Sequence, residues 1–239
     1  AIRLIRKSFS FQIAGDQHIP SLIQYGVEDF RDSGWVFCTP AISVGYERRF
    51  VPDNMDVEIS NRPEHGLPNT GNYVDGFGNR NHVYAIGNPE DTERSNKSRY
   101  VLAEEKASGY SIITFDQDQR TYKTDAWHFL TDASQDSPES HFAGWPHTIS
   151  QEENFGAVNQ SEISLPRIDV SGIEDPVLEV TDEKSGELIY ILRIKGNSYT
   201  PRVTAPGTYN VRVGEPESNS WQEKSGIKNG KGDSLLFSF

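Results

Sequence analysis

The 239-residue sequence is poor in residues and runs that several classes of protein need. Cys38 is its only cysteine, so no disulfide can form within the chain and a zinc site built from several thiolates is excluded. No run of about 18 apolar residues could cross a membrane as a helix. Lys and Arg number 23 against 35 Asp and Glu, and the net charge of −12 argues against a nucleic acid or a membrane surface as partner.

Several sequence motifs are absent as well. There is no Gly-x-Ser-x-Gly nucleophile elbow, no phosphate-binding Walker loop and no Gly-x-Gly-x-x-Gly dinucleotide fingerprint. The chain opens without a basic, apolar signal segment, so we expect a soluble, processed protein. These absences leave metal chemistry as the reaction type that the remaining polar residues support best.

The composition favours strands and loops over a helical bundle. Aromatic residues make up 11% of the chain, with 20 Gly and 13 Pro. The sequence pattern changes near residue 165, where short apolar segments begin to recur between turn residues. We therefore predict a strand-rich α+β protein of two domains, 1–164 and 165–239, the second a small β-sandwich.

One segment near the start, residues 9–18, contains the side chains that are best placed to bind a metal ion or a phosphate. Phe9, Phe11 and Ile13 alternate with polar residues, which predicts a strand that breaks at Gly15. The residues from Pro20 to Phe30 read as a helix, giving the order strand, loop, helix. Ligands in open α/β sheets bind at the carboxyl ends of strands, where this loop would lie.

Asp16 and His18 are the candidate ligands in that loop. Residues two apart on an extended backbone point to the same side, so a carboxylate and an imidazole could meet one metal ion or one phosphoryl oxygen. The alternative is that Asp16 caps the following helix and His18 is an ordinary loop residue. Both interpretations stay open on this tetrapeptide alone.

The remaining segments of the first domain are predicted from local pattern. Ala1–Lys7 reads as the end of an amphipathic helix that begins in mid-pattern, which suggests that residues upstream are missing or lie on another polypeptide. The alternative, of equal weight on sequence alone, is a short N-terminal helix that starts where proteolytic processing cut the chain. We also predict buried or paired strands at 35–38, 82–86, 109–115 and 120–129, a long packed loop at 45–81, a charged loop at 90–99 and a linker at 131–140.

Of the other histidines, His82 and His128 are expected to serve on a sheet surface. Trp145, Pro146 and His147 could form either a substrate wall or a simple aromatic lid. Cys38, inside an apolar strand, is expected to be an inert buried thiol.

Four segments in this order resemble the C-terminal half of alkaline phosphatase D-like metallophosphatases, a calcineurin-like family. They are Gly15-Asp-Gln-His-Ile-Pro-Ser-Leu22, Trp35-Val-Phe-Cys-Thr-Pro-Ala-Ile42, Gly71-Asn-Tyr-Val-Asp-Gly-Phe-Gly78 and Phe142-Ala-Gly-Trp-Pro-His-Thr-Ile149. The resemblance extends into the apolar run around Gly186–Ile194. It implies part of a metallophosphatase α/β sandwich followed by the β-sandwich.

The resemblance also implies a function. Such proteins are exported, so the expected location is the periplasm or the cell exterior, and the expected activity is hydrolysis of phosphoric monoesters or diesters. Two divalent or trivalent metal ions are implied, with Fe, Zn, Mn and Ca all open. Asp16 and His18 match the family's late Gly-Asp-x-His element, so both are candidate metal ligands and catalytic residues, His18 the surer of the two.

The chain departs from the family in lacking the earlier metal-binding elements. We therefore expect the other ligands to come from an N-terminal portion of the same enzyme or from another chain, with a phosphate ester as substrate. A diverged remnant without catalysis is the other possibility. The competing function is a binding module for polysaccharide or a partner protein, whose stacking residues would be Tyr46, Tyr73, Phe77, Trp145 and Trp221.

Overall fold

A computed structural model describes residues 1–52, 61–90, 97–135, 137–230 and 232–239 of the chain. Two compact units make up the chain: unit I is Phe11–Asn154, and unit II combines Ala1–Ser10 with Phe155–Phe239. The sequence placed the division ten residues later and assigned the first ten residues to the first domain. The stacked rings of Phe9 and Phe155, with centroids 4.3 Å apart in the core of unit II, explain the difference.

The described residues of unit I form two sheets and one α-helix. Its larger sheet has the strand order β1-β3-β2-β5-β4, in which β1 and β3 are parallel and the other pairs antiparallel. The smaller sheet is antiparallel with the order β6-β7-β8. The elements are β1 Gln12–Ala14, β2 Ser21–Gly26, β3 Trp35–Cys38, β4 Gly71–Val74, β5 Arg80–Ile86, α2 Arg99–Glu105, β6 Gly109–Asp116, β7 Thr121–His128 and β8 His147–Ser150.

The core of unit I takes apolar side chains from both of its sheets. Leu22 and Phe37 of the larger sheet and Ala126 and Ile149 of the smaller one have no more than traces of exposed surface. Burial of this kind stabilises by about 25 cal/mol per Å² of apolar surface. Trp145 is 6% exposed in the same cluster, so neither a substrate wall nor a lid describes it.

The described residues of unit II form two sheets and two short α-helices. A four-stranded antiparallel sheet has the order β11-β10-β13-β14, and a three-stranded sheet has the order β12-β9-β15. The elements are α1 Ile2–Lys7, α3 Ala157–Gln160, β9 Ile168–Ser171, β10 Val177–Asp182, β11 Leu188–Arg193, β12 Ser198–Tyr199, β13 Thr208–Glu215, β14 Ser220–Lys228 and β15 Leu235–Ser238. Side chains of both sheets, among them Val180, Val211 and Phe237, share one core.

The predicted helix over residues 20–30 is wrong, because Ser21–Gly26 is strand β2. β2 lies between β3 and β5, and its pairing with two neighbours outweighs the weak helical pattern. The chain then turns sharply, since a Cβ on Gly26 would lie 2.0 Å from the carbonyl oxygen of Asp29. Without that helix, Asp16 cannot be a helix cap.

Most of the other predicted elements are present. The strand-rich α+β class is confirmed, as are the opening helix, strand β3 and the β6–β7 hairpin. The loop predicted over 45–81 contains β4, and α2 begins at the end of the loop predicted over 90–99. Parts of those two loops, residues 53–60 and 91–96, lie outside the described residues, and none of the helices that the structure does describe is long and apolar enough to cross a membrane.

Candidate functional site

The Asp16–His18 loop leaves the carboxyl end of β1. β1 pairs in parallel with β3, so the chain segments that follow these two strands emerge at the same edge of the sheet. The backbone N–H of Thr39, just after β3, donates to the carbonyl oxygen of Ala14 at 2.9 Å. This is the type of sheet edge at which α/β proteins bind ligands, although a strand rather than a helix follows the loop.

The backbone of the loop is unusual at both candidate ligands. Asp16 has φ 64° and His18 has φ 58°, in the left-handed region that few non-glycine residues occupy. The extended geometry that would place both side chains on one side is therefore absent. Gly15, which could adopt such an angle without strain, does not have it. The left-handed conformation of two non-glycine residues costs conformational energy, and strained residues of this kind cluster at functional sites.

His18 has a fixed ring orientation. Its Nδ1 is hydrogen-bonded to the carbonyl oxygen of Tyr46, and since a carbonyl oxygen only accepts, Nδ1 carries the proton and donates. In the neutral form of this ring the lone pair is therefore on Nε2. The loop is also held through Gln17, whose Oε1 accepts from Nη1 of Arg48 at 3.2 Å. Asp16 is exposed and makes no hydrogen bond to any described side chain or backbone group.

A complete metal centre does not assemble from the parts of the chain that the structure describes. Among these residues no three His, Cys, Asp or Glu side chains lie close enough to hold one ion. Cys38 is buried at the end of β3, and burial raises the pKa of its thiol, as expected for an inert cysteine. The loop therefore offers at most two of the ligands that the resemblance implies.

A second polar region of unit I is a pocket of about 640 Å³. It is formed by the β2–β3 loop, the segment before β4, and strands β4 and β5. The side chains that give it its chemistry are Arg31, Arg62, His65, Asn72, His82 and Tyr84, with Glu64 the one acidic residue among the described residues that line it. A volume of this size is in the range of pockets for small molecules.

His82 and His65 are both neutral imidazoles in this pocket. The pKa of His82 is lowered to about 4, first by burial and then by the charges of Arg31 and His65. Its Nδ1 donates to Oδ1 of Asn72 at 2.7 Å, which leaves Nε2 as an acceptor. Burial also lowers the pKa of His65, whose Nδ1 accepts from the backbone N–H of Leu67 at 3.1 Å.

Tyr84 links the pocket to the aromatic core of unit I. Its ring lies 4.8 Å from that of His65 and 4.0 Å from that of His147. The sequence interpretation expected His82 on a sheet surface, but His82 is only 6% exposed. The period-2 spacing of His82 and Tyr84 is the signal that could have placed both in one site. Arg31 and Arg62 lie in loops, where no pattern indicated them.

Another buried pair joins β7 to the segment before β8. His141 Nε2 lies 3.5 Å from Oδ1 of Asp125, and Lys123 is 3.1 Å from the other oxygen of that carboxylate. The His141 ring also stacks on Trp127 at 3.8 Å.

No family model, no curated protein and no solved structure matches this chain. The resemblance to alkaline phosphatase D-like metallophosphatases therefore stays a prediction, supported by the four sequence segments and by the position of the Asp16–His18 loop.

Proposed function

We propose that this chain contributes the Asp16–His18 loop to an enzyme that hydrolyses phosphoric esters with the help of bound metal ions. The observation that supports this most is the hydrogen bond from His18 Nδ1 to the Tyr46 carbonyl oxygen. Histidines that ligate metals usually donate one ring N–H to a carbonyl or carboxylate, which fixes the ring and leaves the other nitrogen for the ion. His18 has this arrangement on a loop at a sheet edge.

The residues present fit part of a metal site. His18 would hold an ion through Nε2, and Asp16 would be a second ligand, because the Tyr46 carbonyl oxygen already accepts from Nδ1 and leaves no ring N–H for Asp16 to orient. In such sites, bound ions stabilise charge on the phosphoryl oxygens and acidify a water molecule. The chain's own part is to fix the orientation of the His18 ring and to place the Asp16 carboxylate in the same loop.

The remaining ligands must come from residues other than those described here, because no third ligand joins the loop among them. We propose that an N-terminal portion of the same enzyme, or another chain, supplies them, and that the enzyme works in the periplasm or outside the cell. Divalent or trivalent ions of Fe, Zn, Mn or Ca are the candidates, with a phosphate monoester or diester as substrate.

The test measures metal contact at His18 in this chain directly. We expect Mn²⁺ to broaden the NMR signals of the His18 ring, and His18→Ala to abolish metal-dependent hydrolysis of p-nitrophenyl phosphate once the partner portion is added. Gln17→Ala is the matched control, since it alters the same loop and removes only the contact with Arg48. Unbroadened His18 signals, or full activity in His18→Ala, would end the proposal.

The binding-module alternative retains one supporting observation. Phe77 is 94% exposed at the tip of the β4–β5 hairpin, where Asp75 Oδ1 accepts from the backbone N–H groups of Phe77 and Asn79, both at 2.9 Å. An exposed phenylalanine ring on this turn is available to stack on a sugar or on a side chain of a partner protein. Metal-independent binding of a glycan that Phe77→Ala abolishes would favour this function over hydrolysis.

A further inference from the structure

The pocket bordered by Arg31, Arg62, His65 and His82 has no part in the function proposed above. Its residues come from the β2–β3 loop, from the segment before β4, and from strands β4 and β5, all within unit I. The Asp16–His18 loop is not among the residues that line it. A ligand for this pocket is therefore argued from its own groups.

The lining is positively charged in a chain whose net charge is −12. Arg31 and Arg62 supply two guanidinium groups, and Glu64 is the only carboxylate among the described residues that line the pocket. The imidazoles of His65 and His82 add no charge near neutral pH, because the pKa of each is lowered by burial. Planar guanidinium groups match carboxylate and phosphate oxygens with paired hydrogen bonds.

Arg62 gives the strongest indication that something binds. Its Nε is buried and has no hydrogen-bond partner among the described residues. An unpaired buried donor of a charged group is costly, and a bound water molecule, ion or ligand that accepts from it removes that cost. An oxyanion that accepts from this N–H would remove the cost.

The rest of the pocket indicates that the ligand has a polar body beyond its anionic group. A volume of about 640 Å³ is far larger than one phosphate or carboxylate needs. His82 Nε2 is an acceptor, since Nδ1 donates to Asn72, and the Asn72 amide adds a donor. Acceptors and donors of this kind pair with hydroxyl groups.

We propose that this pocket binds a small hydroxylated organic anion, whose phosphate or carboxylate group is held by Arg62 and Arg31 while its hydroxyl groups meet His82 and Asn72. Phosphate and carboxylate present the same oxyanion chemistry to a guanidinium group, and the experiment distinguishes them.

The test is calorimetric titration of the full chain with glycerol 2-phosphate and with glycerate, in the presence of a metal chelator. Glycerol and inorganic phosphate are the comparison probes for the hydroxyl groups and the anionic group. We expect at least one organic anion to bind, and Arg62→Gln to weaken it roughly tenfold or more. Arg167→Gln is the matched control, because it removes the same charge from an exposed site in unit II.

Which of the two organic anions binds more tightly identifies the anionic group. The proposal is overturned if neither binds, if glycerol or inorganic phosphate binds as tightly, or if Arg62→Gln binds like the unmodified chain. Should Arg62→Gln fail to fold by its amide NMR spectrum, Arg31→Gln decides in its place. His18→Ala is expected to bind normally, so this result is independent of the proposed phosphoesterase activity.

Discussion

His82 shows how one residue joins the pocket to the stability of unit I. Its ring is almost fully buried beside Arg31 and His65, and these surroundings lower its pKa to about 4. An unfolded histidine has a pKa near 6.5, so the unfolded chain binds this proton more readily than the folded one. The contribution of neutral His82 to stability is therefore complete above pH 6.5 and is lost as the pH falls from there toward about 4.

We expect the free energy of unfolding to fall as the pH is lowered from 7.5 to 4.5, with about 3 kcal/mol of the total loss between the two pKa values due to His82. His82→Gln should flatten this dependence, since glutamine can still donate to Asn72 and does not titrate. Urea unfolding at both pH values measures the difference. Because burial also lowers the pKa of His65 and His147, some slope will remain, but an unchanged slope would contradict the assignment.

At the scale of one element, the turn after β2 shows why the helix prediction failed. Asp32 is buried, and its two carboxylate oxygens accept from three successive backbone N–H groups, those of Val27, Glu28 and Asp29, at 2.7 to 3.1 Å. In the predicted helix over residues 20–30 these N–H groups would donate to carbonyl oxygens four residues earlier, but the Asp32 side chain accepts from them instead and fixes a loop.

We expect Asp32→Ala to lower the free energy of unfolding by about 2–3 kcal/mol, because it leaves three backbone donors without their acceptor. Asp29→Ala is the control, since its carboxylate accepts only from the exposed neighbouring N–H of Phe30. That change should cost less than about 0.5 kcal/mol. Equal destabilisation of the two variants in urea unfolding would show that Asp32 does not hold the turn.

Prediction of elements succeeded where local pattern and final pairing agree. In the β6–β7 hairpin the strands alternate and pair with their sequence neighbours, so a local rule is sufficient. β14 was missed because its side chains are mostly polar and half exposed, and only its pairing with β13 makes it a strand. For the same reason, Asp16 and His18 could be singled out from sequence, whereas Arg31 and Arg62 depend on loops that no periodicity describes.

At the scale of the whole molecule, the division into two units depends on residues far apart in sequence. The start of the chain belongs with its C-terminal part because Phe9 is buried there, with its ring 4.3 Å from Phe155 and 5.0 Å from Tyr190. Lys7 adds an ion pair to Glu187 at 2.7 Å. The alternation of Phe9, Phe11 and Ile13 predicted one strand that includes Phe9. A local alternation cannot show that Phe9 packs in a different unit from Phe11 and Ile13.

Phe9→Ala tests this assignment, because the loss of a buried phenylalanine costs about 3–5 kcal/mol. We expect the amide hydrogens of Val180 and Val211, at the centre of the four-stranded sheet of unit II, to exchange correspondingly faster in native-state hydrogen exchange. Leu4→Ala, in the same N-terminal segment but at a side chain that is 72% exposed, should leave these rates unchanged. If Phe9→Ala exchanged as slowly as Leu4→Ala, the first ten residues would contribute little to unit II. Faster exchange in Phe9→Ala alone would show that the stability of unit II depends on a ring more than 140 residues away in sequence from Phe155.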